Sequence, residues 1–505
     1  MCSSDLAAIK DCPVFGGKVK SFDASKVTGM KGVKKVVQVG DKAVAVVADT
    51  WWQAKTALEA LPIVWDKGEG AKVSSESIAK WLEEGLTAPT NFVGNKQGDA
   101  AAAIAGAAKK VEATYAYPYQ NHACLEPMNA TVLYTPDKCE VWTSTQNGEA
   151  AYAAALAASG LPADKVEVHR LMLGTGFGRR TRSEYVTEAV LIAKEMPGTP
   201  VKMLKSREED MTNGVYHPVT QCKLTGSLDK DGNVTGLQMR ISGQSILAYA
   251  RPEAMEAGKD PATFQGLNPG GAEGAFGYDI PNLLIDHAMR NPHVPPWFWR
   301  GVNNNQNAIY LECFIDELAH AAGQDPLAFR RKMMANKPKH LGVLNAVAER
   351  VGWDKPAPQG ISRGICQHMG YGSYVAAAAE VSVTGNKVKV HRIVAATNPG
   401  HAVNPAQIER QIAGSFVYGL SALFQGGITI KDGEVVEKNF DTFGSLRMAE
   451  MPKVESIIMP SNDFWGGVGE PTIFVAAPAV LNAIFKATGQ RYRSFPLKNH
   501  NIQMA

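Results

Sequence analysis

Hydrophobic and polar positions alternate with period two from the first residues onward. "VKSFDASKVTGMKGVKKVVQVGDKAVAVVADT" sets valine-rich runs between glycine and aspartate turns, the pattern of short strands. "TWWQAKTALEAL" then shifts to helical spacing, and "PIVWD" reads as another strand. Residues 66 to 110 turn polar and alanine-rich, with "GEGAKVSSES" and "GNKQGDAAAAIAGAAKK", and are expected to form a linker or peripheral excursion. Aromatic and β-branched residues return in "VEATYAYPYQNHACLEPMNATVLY". A second break, over 335 to 364, contains "ANKPKHLG" and "WDKPAPQGISRG" and predicts the join between two large halves. The chain thus reads as mixed α/β, or α+β, already under way at its first residue, so a preceding portion is expected. The strands "VEVHRL" and "VKVHRI" echo each other, but no fixed-period repeat accompanies them.

Three long segments carry the helical period. In "VEVHRLMLGTGFGRRTRSEYVTEAVLIAKEM" a strand runs through a glycine loop into a helix bearing Val186, Ala189, Val190 and Ala193 on one side. Thr181 and Glu184 have the spacing of a capping box. Gly174, Gly176 and Gly178 would then precede a helix N-terminus, where backbone N–H groups and Arg179, Arg180 and Arg182 favour an anion. The spacing fits neither the dinucleotide nor the Walker fingerprint, so a plain strand-to-helix turn explains it equally well. "VNPAQIERQIAGSFVYGLSALF" starts on Asn404 and Pro405 and stripes Ile408, Ile412, Phe416, Leu420 and Leu423. Its neighbouring face holds Gln411, Gly414, Ser415 and Tyr418, which suits either close helix packing or the approach of a flat heterocycle. "HVPPWFWRGVNNNQNAIYLECFIDELAHAAG" places Arg300 among aromatics ahead of a helix marked by Leu311, Phe314, Ile315, Leu318 and Ala321. Such an arginine is either stacked for structure or kept for an anion. Finally "GGVGEPT" sets Glu470 among Gly466, Gly467 and Gly469 and before Pro471; a surface turn is the commoner meaning of that punctuation.

Composition changes this picture little. The chain has 505 residues, enough for about three domains by the usual size of about 150 residues each. Its net charge of +3 is too small to argue for nucleic acid or a membrane surface. Seven cysteines, at 2, 12, 124, 139, 222, 313 and 366, include no Cys-x-x-Cys pair, so spacing offers neither a zinc nor an iron–sulfur site. No uninterrupted apolar run approaches the ~20 residues of a membrane span, and no basic-then-apolar leader opens the chain.

In family order, "YPYQNHACLEPMNAT", "LGTGFGRR", "RNPHVPPWFWRGVNNNQNAIYLECFIDELA", "QIAGSFVYGLSALF", "NFDTFGSLRMAEMP" and "GGVGEPTIFVAAPAVLNAIFKATG" resemble the large molybdenum subunit of the xanthine oxidase and aldehyde oxidase superfamily. The isoquinoline 1-oxidoreductase beta-subunit type is the nearest resemblance, and it runs from about residue 14 to the end. It implies a partial α/β hammerhead module over 1–70, a linker over 71–110, and two molybdopterin-binding domains over 111–340 and 341–505, with the cofactor between them. It further implies that Glu470 is the catalytic base. Gln120, Gly176, Phe177, Gly178, Arg179, Arg300, Gly301, Gln411, Gly467 and Gly469 would hold a molybdopterin cofactor, in its cytosine dinucleotide form, and His122 and Trp299 would face substrate. Electrons would leave to a small two-cluster [2Fe-2S] subunit and on to a cytochrome acceptor, no cluster being expected in this chain. The implied reaction hydroxylates an electron-poor carbon of an N-heterocycle or aldehyde with oxygen from water.

The chain departs from the family pattern in places. The second glycine–glutamine loop and the small-residue contact beside the metal are absent, both of which fit a portion missing before residue 1. Ala413 stands where glutamate is usual, and no acid follows "FGRR", which disfavours purines. The alternative is a cofactor-free subunit or inactive fragment that keeps the fold as an interaction module. The compartment is open between cytoplasm and periplasm, since any export leader would lie in the missing portion.

Overall fold

The computed structural model describes residues 5–89, 91–269 and 274–505. Cys2 lies outside them. Three sheets and a buried helix organise the chain.

The first sheet has seven strands in the order Val166–Arg170, Lys138–Thr143, Asn129–Thr135, Val201–Leu204, Asp5–Asp11, Ala43–Ala48, Val33–Val39. The opening valine-rich segments do form strands, but they do not stand apart as a module. Asp5–Asp11 pairs in parallel with Val201–Leu204, with Asp5 opposite Val201, and thereby joins the first residues to a sheet that continues past residue 200. One sheet therefore contains strands from both sides of residue 70. The reason lies in Ala43–Ala48, whose six residues are all buried: an apolar strand without alternation must be covered on both faces. The predicted helix forms as Trp51–Ala60, with Thr50 accepting a hydrogen bond from the Gln53 N–H, and Ile63–Asp66 follows as a strand.

The segment over 71–110, expected as a linker or peripheral excursion, carries regular structure. It contains the helices Ser75–Gly85 and Ala100–Ala105 and the strand Phe92–Gln97. Ile78 and Leu82, four apart, are buried from that first helix, enough to dock a short amphipathic segment whose overall polarity hides it in the sequence. Phe92–Gln97 forms one edge of the second sheet, followed by Leu283–Met289, Val234–Gly243, Thr220–Leu228 and Lys109–Tyr117.

The third sheet runs Ser362–Gly370, Ser373–Thr384, Lys387–Asn398, Lys453–Ile458. Ala376, Ala377, Ala378 and Ala379 are fully buried, small enough for the helices Pro338–Val351 and Ala476–Thr488 to lie close to the strands. At Gly364 the approach is closest, since an added Cβ would sit 2.2 Å from the Ala483 nitrogen. The apolar stretch Pro471–Thr488 is long enough to cross a membrane by length and composition, but 78% of it is buried inside the protein, as in a core helix.

Between the second and third sheets lies the helix Asn304–Ala321, buried from Asn304 to Ala319. It carries more than its apolar stripe into the core: Glu312, fully buried, accepts from the Arg330 Nε at 3.0 Å. One apolar core spans the second and third sheets and a separate one backs the first. The two strands that share a Val-His-Arg wording fall in different sheets, Val166–Arg170 in the first and Lys387–Asn398 in the third.

Candidate functional site

All three sheets deliver loops to one cleft. Residues 118–124 cross from the second sheet to the first, 171–178 leave the first, 297–302 lead from the second into the buried helix, and 466–470 follow the third. The helix Pro405–Phe424, capped by Asn404 as its sequence predicts, lies alongside.

Glu470 is held from two directions. Its Oε1 accepts from the Gly301 N–H at 2.9 Å. One residue earlier, the Gly469 carbonyl accepts from Arg300 Nε at 2.8 Å, while Arg300 Nη2 donates to the Gln411 carbonyl at 3.1 Å, Gln411 Oε1 at 3.0 Å and Ser415 Oγ at 3.0 Å. The arginine therefore ties the acid's loop to the helix. Burial lowers its pKa from the ordinary guanidinium value, against the opposing pull of Tyr418 and Glu470. Thr472 Oγ1 donates to Ser415 Oγ at 2.9 Å and adds a second tie between acid loop and helix. Gly467 donates its N–H to the Tyr371 carbonyl at 2.8 Å, and an added Cβ at Gly469 would meet no atom within 4 Å. The glycines around Glu470 thus do two jobs: one lets a neighbouring loop dock, and the other leaves open space beside the carboxylate.

The opposite wall is the glycine loop. Phe177 adopts φ 55° and Gly178 φ 102°. At Gly178 a Cβ would collide with the Phe298 carbonyl oxygen at 1.9 Å, so no side chain is tolerated there. The Phe177 carbonyl accepts from the Arg300 N–H at 2.9 Å, and its ring stacks on Tyr418 at 4.2 Å. Tyr418 stacks in turn on Trp299 at 4.4 Å and donates its hydroxyl to the His122 carbonyl at 2.8 Å. Gln120, 1% exposed, sits in a two-residue strand paired with Tyr216–His217, and both polar atoms of its amide are buried with no protein partner. Gly426 faces it, where a Cβ would lie 2.5 Å from Gln120 Oε1.

The cleft thus gathers Gln120, Gly176, Phe177, Gly178, Arg300, Gly301, Gln411, Gly467, Gly469 and Glu470. Three expected members lie elsewhere. Arg179 is buried behind its loop, paired with Glu184, whose pKa falls to about 2 because burial, which would raise it, is outweighed by the combined charges of Arg179, Arg182 and Lys205 and the hydrogen bond from Arg179. His122 is buried with Nδ1 and Nε2 at 3.1 and 2.9 Å from the Val215 and Phe298 carbonyls; burial lowers its pKa to about 3, against the pull of those two acceptors. Trp299 is 2% exposed, covered by Tyr418, and donates its indole N–H to the Asn121 carbonyl at 3.1 Å. Gln120, His122 and Trp299 are alike buried, with Trp299 backing the Tyr418 ring.

The anion cradle and the capping box also dissolve. Arg180, fully buried, donates to the carbonyls of Thr175, Ser144 and Glu126 and to Glu126 Oε2, so it is spent inside the protein and not on an external anion. Arg182 lies over the rings of Tyr249 and Trp297. A 3-10 turn, Arg179–Thr181, separates the loop from the helix Glu184–Lys194, and Thr181 donates to the Gly178 carbonyl instead of capping it.

Sequence reasoning missed Gln146, whose Oε1 accepts from the N–H groups of Gly178 and Arg180 at 3.1 and 3.3 Å, and Tyr371. Glu126, which accepts from the Gly174 N–H at 2.7 Å, stood inside a quoted motif without being singled out. Backbone strain marks the same loops: Ala123, Thr175, Phe177, Val302 and Tyr371 have positive φ without being glycine.

Loops from several sheets thus bring a buried unpaired amide and an acid on a glycine platform to one region. Two family models match the chain, each described as a molybdopterin cofactor-binding domain, over residues 85–334 and 327–452. Over 97% of its length the chain is 26% identical to the membrane-bound aldehyde dehydrogenase [pyrroloquinoline-quinone] of Gluconacetobacter polyoxogenes, covering 67% of that protein. Over 76% it is 27% identical to isoquinoline 1-oxidoreductase subunit beta of Brevundimonas diminuta, covering 49% of it. The crystal structure of quinoline 2-oxidoreductase from Pseudomonas putida 86 superposes with TM-score 0.79 at 13% identity, over 97% of this chain and 93% of that one, a likeness of fold. The chain belongs to the molybdopterin-binding large-subunit family of the xanthine oxidase type. It spans between 42% and 67% of the length of the first curated relatives it matches.

Proposed function

We propose that this chain is the molybdenum-cofactor subunit of an oxidoreductase that hydroxylates an electron-poor carbon of an N-heterocycle or an aldehyde with oxygen drawn from water. The observation that supports the reading is the buried amide of Gln120, which has no protein partner, on a loop that converges with the one whose carboxylate is fixed by Gly301 and Arg300. An amide buried without a hydrogen bond costs about 1 to 3 kcal/mol, and a bound polar group removes that cost. The residues present therefore fit a molybdopterin. Gln120 would meet its metal end, and the Gly176–Gly178 backbone, Gln411 and Gly469 would line its length. When bound, the cofactor supplies Lewis acidity and a two-electron couple.

The chain's own part is orientation and proton transfer. Gly301 holds Glu470 Oε1, so the proton of the attacking water is taken at Oε2. Arg300 fixes the carbonyl just before the acid and limits the arc through which the carboxylate swings. The stacked rings of Phe177, Tyr418 and Trp299 make a stiff apolar wall that keeps water from one side of the cleft.

The two cofactors in play, a quinone in one relative's name and molybdopterin in the family models, differ; this reading follows the models, which cover residues 85–452 together. Transfer of electrons to a small [2Fe-2S] subunit and then to a cytochrome, and the cytosine dinucleotide form of the pterin, complete the proposal. Support for a partner is that the isoquinoline and nicotinate relatives are named as subunits.

The test is Glu470→Gln in molybdenum-loaded protein. The amide keeps an oxygen for Gly301, so folding and metal content should be unchanged while turnover falls by about 10² to 10⁴. Wild-type turnover in the loaded variant removes Glu470 from its role; no molybdenum in protein from the native host rejects the hydroxylase and leaves an interaction subunit.

A further inference from the structure

The two strands that echo each other, "VEVHR" at 166–170 and "VKVHR" at 388–392, differ at the residue two before the histidine. Side chains two apart on a strand point to the same face, so the first copy sets a carboxylate beside an imidazole and the second an ammonium. The neighbouring strand enlarges the first set. Lys138–Thr143 pairs in parallel with Val166–Arg170, with Glu140 opposite Glu167 and Trp142 opposite His169. Cys139 and Val141, which alternate with these residues, are buried in the core that backs the first sheet, so Glu140, Trp142, Glu167 and His169 share its other face.

Two acids placed directly opposite across a sheet repel each other, a cost that a cation between them removes. The imidazole stands beside that pair. His169 Nε2 lies 3.7 Å from Glu167 Oε1 and 4.0 Å from Glu140 Oε1, too far for hydrogen bonds, and is itself buried with no hydrogen-bond partner. Taking one ligand atom from each of the three side chains, all lie within 4.8 Å of one another. Trp142 stacks on the imidazole at 5.0 Å with an interplanar angle of 17° and so fixes the direction of the ring. Lys138 Nζ is 2.9 Å from Glu140 Oε1 and 3.2 Å from Glu167 Oε2. This ammonium is a cation already drawn to the pair, but one positive charge against two carboxylates leaves one uncompensated, and the imidazole nitrogen gains no partner from it.

We infer that Glu140, Glu167 and His169 bind a divalent transition-metal ion of the zinc type. Zinc accepts imidazole and carboxylate ligands, and three protein ligands leave its fourth position to water. An ion held about 2 Å from each ligand brings the ligand atoms to about 3 to 3.5 Å from one another, so small rotations of the glutamate side chains close the site while Lys138 turns to solvent. The ion fastens the edge strand Val166–Arg170 to its neighbour immediately ahead of the loop 171–178, which lines the cofactor cleft. His391 supplies the internal control: Lys389 stands where Glu167 does in the first copy, and the imidazole is already bonded, with Nε2 at 2.7 Å from Ser382 Oγ.

The test titrates zinc into the chelator-washed full chain by calorimetry and repeats the titration with cobalt, whose visible absorption reports the ligand geometry. His169→Ala and Glu167→Gln should each weaken zinc binding by more than about tenfold, and His391→Ala should leave it unchanged. Lys138→Ala should tighten it, because the ammonium no longer competes for the two carboxylates; zinc held only by a stray surface histidine would not respond to that change. Zinc should also raise Tm in the wild type and not in His169→Ala, since an ion that binds only the folded chain stabilises it. A wild-type chain that takes up no zinc, binding unchanged in His169→Ala, or binding that Lys138→Ala fails to tighten overturns the inference.

Discussion

Arg300→Lys tests the argument that the acid is aimed from outside itself. The guanidinium reaches the Gly469 carbonyl with Nε while Nη2 reaches the Gln411 carbonyl, Gln411 Oε1 and Ser415 Oγ, so one planar group bridges the acid's loop and the helix Pro405–Phe424, each more than a hundred residues from the arginine. A lysine ammonium has no fork and meets one side or the other. A hydrogen bond to a charged group contributes about 1.5 to 3 kcal/mol when well buried; discounted for a half-buried site, the lost side of the bridge is worth about 1 to 2 kcal/mol. In a chain this long that lowers Tm by only a few degrees. The catalytic effect should be larger. Once the Gly469 carbonyl is released, Glu470 is fixed only through Gly301, and misplacement of a catalytic group by about 1 Å can cost about 10² in rate. The expected signature is a kcat about 10² lower at nearly normal molybdenum content, with a thermal midpoint close to wild type. The assay pairs single-turnover kinetics on an N-heterocycle with metal analysis and a melting curve on the same preparation. A lysine variant within about threefold of wild-type kcat would refute the bridge as the source of the acid's position.

Two further outcomes follow from packing and from linkage. Gly178→Ala forces a Cβ into the Phe298 carbonyl at a positive φ, so it should destabilise by about 3 kcal/mol or more, visible as a lowered urea midpoint; wild-type stability would contradict the close approach. Burial holds His122 and His368 at about 3 and His217 and His287 at about 4, below the ordinary value near 6.5. The unfolded chain therefore binds more protons than the folded one below pH 6.5, and stability present above that pH is lost as pH falls toward 4. Each histidine contributes a slope approaching about 1.4 kcal/mol per pH unit, so urea unfolding should show a drop of several kcal/mol between pH 6.5 and 5. Equal stability at those two pH values would show that the four rings are not held neutral.

Local order was legible where one element answers to one period. The helices Trp51–Ala60, Asn304–Ala321 and Pro405–Phe424 follow from spacing and caps, and the valine runs became strands. Their grouping was not legible. Asp5–Asp11 bonds to Val201–Leu204 across nearly two hundred residues, and nothing in either stretch of sequence names the other, because backbone pairing carries no side-chain code. Polarity misled at Ser75–Gly85, where two buried residues suffice to dock a helix that otherwise reads as linker.

The site divides along the same line. Residues that act through backbone freedom, Gly178, Gly301 and Gly469 with Glu470 beside it, announce themselves as punctuation in the sequence. Residues that act through a distant partner do not. Arg179 looked as free as Arg300, both flanking aromatic or glycine-rich segments, yet Glu184 claims the first while the second faces carbonyls of another half of the chain. An arginine's role is fixed by which acceptor reaches it, and that is decided by tertiary structure. Tyr371 shows the converse. In the sequence "MGYGSY" it is one aromatic among many, and only its φ of 53° and its contact with Gly467 distinguish it. Function here is concentrated where the local preferences of the chain are overruled, so the residues hardest to read from the sequence are those whose backbone the fold holds against its own tendency.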